Sequence, residues 1–224
     1  MKFKAALFLG GMAPFSIGQG KAGVVPGGRP RKTEAKQQFT SEGNSPSMSR
    51  NIPTINTRRL TLRAMRAEDF GRFAEIWAMP EVVTHISGKP RPKSQSWDAF
   101  LRNAGHWQIT GFGQWAIEVH RQHQMAGQTG FFFGSRGLGD DFDPFPEAGW
   151  VLEPGSQGQG LGLEAVQAAH DWFDRVIAGR TVCMITPDNT GSLRIAREVG
   201  YVPLREAEFG GDKVQLMTRK GPVG

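Results

Sequence analysis

The stretch that most restricts this chain is an alternating segment, Glu147 to Pro154, that runs straight into the glycine-rich Gly155 to Gly162 and then into a helical pattern. In that pattern Ala165, Val166, Ala169, Trp172, Phe173 and Val176 keep one face apolar, so the helix must pack on something. Gly179 ends it, and the continuous apolar run Thr181 to Thr186 reads as a strand covered on both faces. A strand, a glycine turn, a packed helix and a second strand place the chain in the mixed α/β class.

The flanking pattern extends this reading. Leu60, Leu62 and Ala64 alternate with polar neighbours, as in a half-buried strand. Phe70, Phe73, Ala74, Ile76 and Trp77 recur at helical spacing until Pro80 interrupts them before a shorter piece, Val82 to Ile86. A second helix is predicted over Ser94 to Ile109, with Trp97, Phe100, Leu101 and Ala104 on its packed face. Gln114 to Val119 and Ala126 to Phe133 read as a hairpin around the polar turn at residues 120 to 124. Asn189 to Val199 is a short helix closed by Gly200, and two last strands, 201 to 208 and 213 to 218, turn back at Gly210 and Gly211. The predicted order is β, α, α, β, β, β, α, β, α, β, β.

Residues 1–49 have no sustained period, and their Gly, Pro, Ser, Lys and Gln content cannot bury enough apolar surface to offset ordering a backbone. They read as a disordered tail, or as residues ahead of a true start at Met48, leaving 50–224 as the folded domain. Lys2 and Lys4 before Ala5 to Phe8 resemble a secretory start, but Gly10, Gly11 and Pro14 break the run. The tail holds 7 of the 27 Lys and Arg but 2 of the 21 Asp and Glu, so the rest carries 20 against 19. The net charge of +6 therefore gives little support to nucleic-acid binding. No stretch approaches a membrane span, and the lone Cys183 supports neither a disulfide framework nor a zinc module. A reducing, cytoplasmic setting follows as the expectation, with a monomer or homodimer as the assembly. His120 and His123 lie in a turn with no metal-ligand pattern around them, so no metal site is predicted.

Glycines between a strand and a helix can expose unpaired N–H groups to a phosphate, where the helix dipole also favours an anion. Gly160 and Gly162 would let a pyrophosphate approach, and Gly158 permits unusual backbone angles. The same loop can be a plain connection. No Gly-Lys-Ser/Thr ends it and its Gly-x-Gly-x-Gly order is not the dinucleotide turn, which excludes two familiar phosphate loops.

The segment Gln157-Gly158-Gln159-Gly160-Leu161-Gly162 resembles the acetyl-CoA loop Gln/Arg-x-x-Gly-x-Gly/Ala of the GNAT N-acetyltransferases. Four further segments stand in that family's order: "TRRLTLR", "GFGQWAIE", "EAGWVLEP" and "PDNTGSLRIAREVGY". Together they are similar to the branch containing the ribosomal-protein N-terminal acetyltransferases, over residues 57 to 204. The resemblance implies a twisted, mostly antiparallel sheet of about seven strands, splayed between the fourth and fifth and flanked by about four helices. It also implies acetyl-CoA as co-substrate and a primary amine as acceptor, a protein N-terminus or a small molecule, with a non-catalytic acyl-CoA-binding module as the alternative.

By the same resemblance, backbone of Trp150, Val151 and Leu152 pairs with the pantetheine arm, and an N–H there holds the oxyanion of the attacked thioester. Gln157, Gly158, Gln159, Gly160, Leu161 and Gly162 take the diphosphate. Glu147 stands at the position of a strand-four carboxylate, either a base for the amine or a substrate anchor. Asn189 and Ser192 match an Asn-x-x-Ser that contacts the cofactor arm and sulfur; either could instead cap its helix. The family's tyrosine acid would fall at Ala196, so Ser192 or water is left to protonate the thiolate. Cys183, in a covered strand, is a poor nucleophile, and Tyr201, Phe112 and Trp115 read as core.

Overall fold

A computed structural model describes residues 51–222; the expectations for residues 1–49 lie outside the described residues. Eight strands form one sheet: β1 (Ile55–Asn56), β2 (Leu60–Arg63), β3 (Gln114–Val119), β4 (Met125–Phe132), β5 (Glu147–Leu152), β6 (Thr181–Ile185), β7 (Val202–Phe209) and β8 (Asp212–Arg219). Their spatial order is β1-β2-β3-β4-β5-β6-β8-β7. Every neighbouring pair is antiparallel except β5 and β6. The two-residue β1 is the strand beyond the seven predicted.

Five helices cover the sheet: α1 (Phe70–Ile76), α2 (Pro80–Val83), α3 (Lys93–Thr110), α4 (Leu161–Val176) and α5 (Thr190–Glu198). Pro80 both ends the preceding pattern and opens α2, where its missing N–H has no intrahelical partner to lose. The joint between β5 and β6 runs through α4 because parallel neighbours need a crossover long enough to return the chain. Ala165, Val166, Ala169 and Phe173 of α4 pack with Leu60, Leu62, Trp115, Phe131 and Cys183 in the largest core cluster. On the opposite face Phe73, Ile76 and Trp77 pack with Phe100, Ala116, Met125 and Val151.

Two helical faces differ from the sequence pattern. On α3 the buried positions are Ser96, Ala99, Phe100, Asn103 and Trp107, while Trp97 is 43% and Leu101 51% exposed. The packed stripe is rotated because Asn103 turns inward to hydrogen-bond Gln128, which a hydrophobicity pattern reads as a solvent position. On α4, Val176 is exposed and His170 is buried in its place on the apolar face. Nδ1–H of His170 donates to the Val166 carbonyl (2.8 Å), and Nε2 faces the Tyr201 hydroxyl (3.1 Å), which meets Thr181 Oγ1 (2.8 Å). Burial lowers the His170 pKa from 6.5 to about 4, so the ring is a neutral core residue. The last hairpin turns at Gly210 and Gly211, both at positive φ, as a two-residue turn requires.

Candidate functional site

The sheet opens beside β5. β4 pairs with β5 along its whole length, from Phe132↔Glu147 to Gly127↔Leu152, but β5 and β6 share the single pair Glu147↔Val182. Beyond that pair the two parallel strands diverge. Backbone groups on a strand alternate in direction. Glu153 N donates to Ala126 O on the β4 side, and Pro146 O accepts from Val182 N on the β6 side. Odd-numbered residues of β5 therefore serve β4, and Trp150 and Leu152 direct their N–H and C=O groups into the opening. Of the three residues singled out on this strand, Val151 has its backbone committed to Gln128 of β4, and its side chain lies on the α1 face.

The glycine turn stands at the end of the opened strand. Glu153 anchors its start: Arg72 of α1 pairs with that carboxylate, and Ser156 Oγ donates to it at 3.0 Å. Gly158 (φ +72°) and Gly160 (φ +75°) take left-handed backbone conformations that a side chain would strain. Gly160 is the N-cap residue of α4, and Glu164 N to Gly160 O is the first intrahelical rung. The preceding amides, through Leu163, therefore form the free donor end of the helix. Gly162 serves packing as well, since a Cβ there would stand 3.2 Å from Ile195 of α5. Gln157 Nε2 donates to the Leu152 carbonyl (2.8 Å) and Gln159 Nε2 to the Gly155 carbonyl (2.8 Å).

Arg59, which the sequence reading left unassigned, clamps this turn to the start of β2. Its Nε meets Glu164 at 2.6 Å and its Nη1 donates to the Gln159 carbonyl at 2.9 Å. Glu164 also accepts from the Arg59 amide and the Thr57 hydroxyl. The "TRRLTLR" segment is thus tied to the glycine loop about one hundred residues away.

Across the opening, Trp150 Nε1 donates to Ser192 Oγ (3.2 Å), joining β5 to the first turn of α5. Asn189 is the N-cap of α5, its Oδ1 accepting from the Ser192 amide at 3.0 Å. Trp150, Leu152, Ser192 and the glycine turn are thereby brought to one side of the sheet. Ala196, further along α5, is fully buried.

Glu147 lies at the closed end, 4% exposed, with Arg136 Nε on one oxygen (2.6 Å) and Nη2 on the other (2.8 Å). Burial pushes this carboxyl above its ordinary value, and the guanidinium opposes the rise. Arg136 comes from the loop between β4 and β5, where no periodic signal marks it. Cys183 is buried, with its thiol pushed well up by desolvation, and Tyr201 is 2% exposed in the core.

The face of the sheet toward α1 carries a buried polar set without a readable motif. Trp77 Nε1 and Asn103 Nδ2 point at Gln128 Oε1 (3.4 and 3.5 Å), and Gln128 Nε2 donates to Gln114 Oε1 (3.1 Å). Phe73, Trp77, Gly127, Gln128 and Val151 pack together there, against the strand that borders the opening. The only sequence sign of it is a pair of glutamines inside otherwise apolar strands.

Several known proteins similar to this chain are described as acetyltransferases. An "Uncharacterized N-acetyltransferase p20" of Bacillus licheniformis is 25% identical over 152 residues, 67% of this chain and 83% of that protein. A solved "Putative GnaT-family acetyltransferase from Bordetella pertussis" superposes with a TM-score of 0.69 at 28% identity, covering 75% of this chain and 99% of its own. A ribosomal L7/L12 α-N-protein acetyltransferase solved with coenzyme A shares the fold, with a TM-score of 0.61 at 18% identity over 75% of this chain and 98% of that one. The sequence profile described as "Acetyltransferase (GNAT) domain" matches residues 59–202, more than half of the chain and the span from the Arg59 clamp to the start of β7. By sequence and by fold, this chain belongs to the GNAT acetyltransferase family.

Proposed function

We propose that this enzyme moves the acetyl group of acetyl-CoA to a primary amine by direct attack within a ternary complex. The observation that carries the reading is the single-pair contact of β5 with β6 beside a glycine turn whose left-handed residues leave the α4 donor end clear. Amides of Gly158 through Leu163 suit a diphosphate, and the side chains of Gln157 and Gln159 brace the loop. Trp150 and the Leu152 N–H offer strand edge to the pantetheine arm, the Leu152 carbonyl being held by Gln157, and the Trp150 amide is the donor for the oxyanion. The solved relatives that hold coenzyme A or acetyl-CoA support the choice of ligand.

The amine nitrogen forms a bond to the thioester carbonyl carbon, the C–S bond breaks, and coenzyme A leaves as a thiolate. An α-amino group or a lysine is partly or mostly protonated at neutral pH, so a proton must first be lost. Glu147 takes it, directly or through water, once its fork with Arg136 yields one oxygen. Ser192, held at the N-terminus of α5, or a water protonates the thiolate, which needs modest help because a free thiol has a pKa near ~8.5. Acceptors range over protein N-termini and small amines.

Two observations favour the second reading, a non-catalytic acyl-CoA-binding module: Ala196 stands where a tyrosine acid would, and both Glu147 oxygens are engaged. Thiol release measured with acetyl-CoA and an amine panel, with mass-spectrometric detection of products, separates the two. Acetylated product supports transfer; tight coenzyme A binding with no product across small amines and peptides supports the module.

A further inference from the structure

Arg91 is a half-buried guanidinium that no carboxylate or carbonyl meets among the described residues. Arg59, Arg63, Arg72, Arg136, Arg205 and Arg219 each hold an Asp or Glu. Arg91 instead lies flat over an aromatic ring, its Cζ 3.6 Å from the Trp77 centroid, while its amide donates to the Trp77 carbonyl at 2.9 Å. The nearby charge that acts on it is Arg102 of α3, of the same sign. Burial first, and Arg102 second, lower its pKa to about 10, which leaves it cationic at neutral pH. A guanidinium already desolvated and fixed by stacking, with no ion pair among the described residues, suits a negative ligand.

Its position connects that site to the chemistry. The segment from Thr84 to Arg91 begins beside the end of β6, where the His85 carbonyl accepts from Thr186 Oγ1 (3.3 Å) and the His85 ring meets Asp188 (3.1 Å). It ends on Trp77, which packs with Phe73, Gln128 and Val151 against the strands beside the opening. This segment therefore borders the α1 side of the opening between β5 and β6, opposite the side that holds Ser192. An acceptor that enters from the α1 side would lie beside the segment that carries Arg91.

We propose that Arg91, supported by Trp77 and Arg102, receives a carboxylate of the acceptor, so that the amines this enzyme acetylates carry a carboxylate. This rests on the transfer reading above. The carboxylate can belong to an amino-acid-like small molecule or to an acidic side chain near a peptide N-terminus. A planar guanidinium takes either as a bidentate partner.

The test uses the full chain and matched acceptors: amino acids against their amides, and C-terminally amidated peptides with Asp against Asn in the second or third position. The kcat/KM for the acid of a pair is expected to exceed that of its neutral mate by about tenfold or more, in whichever arm supplies the acceptor. Arg91→Ala lowers kcat/KM for the acid about tenfold more than for its neutral mate, which removes the preference, and Arg91→Lys retains part of it. Calorimetry of the same pairs against the coenzyme A-loaded chain reads the preference without turnover. Equal turnover and equal binding of acid and neutral mate, or an Arg91→Ala loss shared equally by both, overturns the assignment. Failure of the transfer reading shows differently, as no thiol release from any acceptor while the acid still binds better than its mate.

Discussion

Lowering the pH should destabilise this domain through histidines that burial keeps neutral, His170 foremost. His170 is 1% exposed, and its Nδ1–H is committed to the Val166 carbonyl, so a second proton would be needed at the nitrogen that faces Tyr201. Its folded pKa of about 4 lies below the ordinary 6.5, so between these values the unfolded chain binds a proton that the native state refuses. The stability is fully present above pH 6.5 and is lost as the pH falls toward 4. At pH 5 the two constants imply a loss of about 2 kcal/mol, rising to about 3 kcal/mol below pH 4. Urea unfolding at pH 7 and pH 5, followed by tryptophan fluorescence, measures it directly. A His170→Gln variant isolates the ring: it starts less stable at pH 7, but its loss between pH 7 and 5 should be smaller by about 2 kcal/mol. An identical pH dependence in the two proteins would mean that His170 carries none of the loss.

Gly160→Ala forces a side chain into a backbone at φ +75°, with Arg59 at an ordinary 3.5 Å, so the cost is backbone strain of about 1 kcal/mol in urea unfolding; coenzyme A affinity should fall as well. Asp69→Asn should cost about 3 kcal/mol in the same measurement, because Asp69 is 6% exposed and holds both Arg63 nitrogens and the Arg66 amide. Glu118 still faces Arg63, which keeps the loss at the low end of a broken buried pair. Glu147→Gln should lower kcat by about 10²-fold with coenzyme A affinity unchanged if Glu147 takes the proton, and steady-state kinetics against calorimetry would show it. A variant that folds and retains full kcat would remove Glu147 from that role.

The element order was legible because strands and helices differ in period and because glycine and proline mark their ends. Gly210 and Gly211 announce the last hairpin, Pro80 the break before α2, and Gly158 and Gly160 the turn before α4. Where the reading of α3 and α4 faltered, a polar residue had taken a core position. Asn103 and His170 are drawn inward by hydrogen bonds to Gln128, Val166 and Tyr201, and a hydrophobic stripe cannot register a partner distant in sequence. The candidate site divides the same way. The loop Gln157 to Gly162 is local, and spacing exposes it. Arg136 on Glu147, Arg59 on Glu164 and Arg91 on Trp77 join residues from separate elements, so each becomes visible only when the sheet brings them together.

The most direct measurement is an amide NMR titration of the full chain with coenzyme A. Saturable shifts concentrated at the amides of Gly158 through Leu163 and of Trp150 are expected, with little change on β7. Saturable binding that leaves those amides unmoved, or no binding at all, would contradict this placement of coenzyme A.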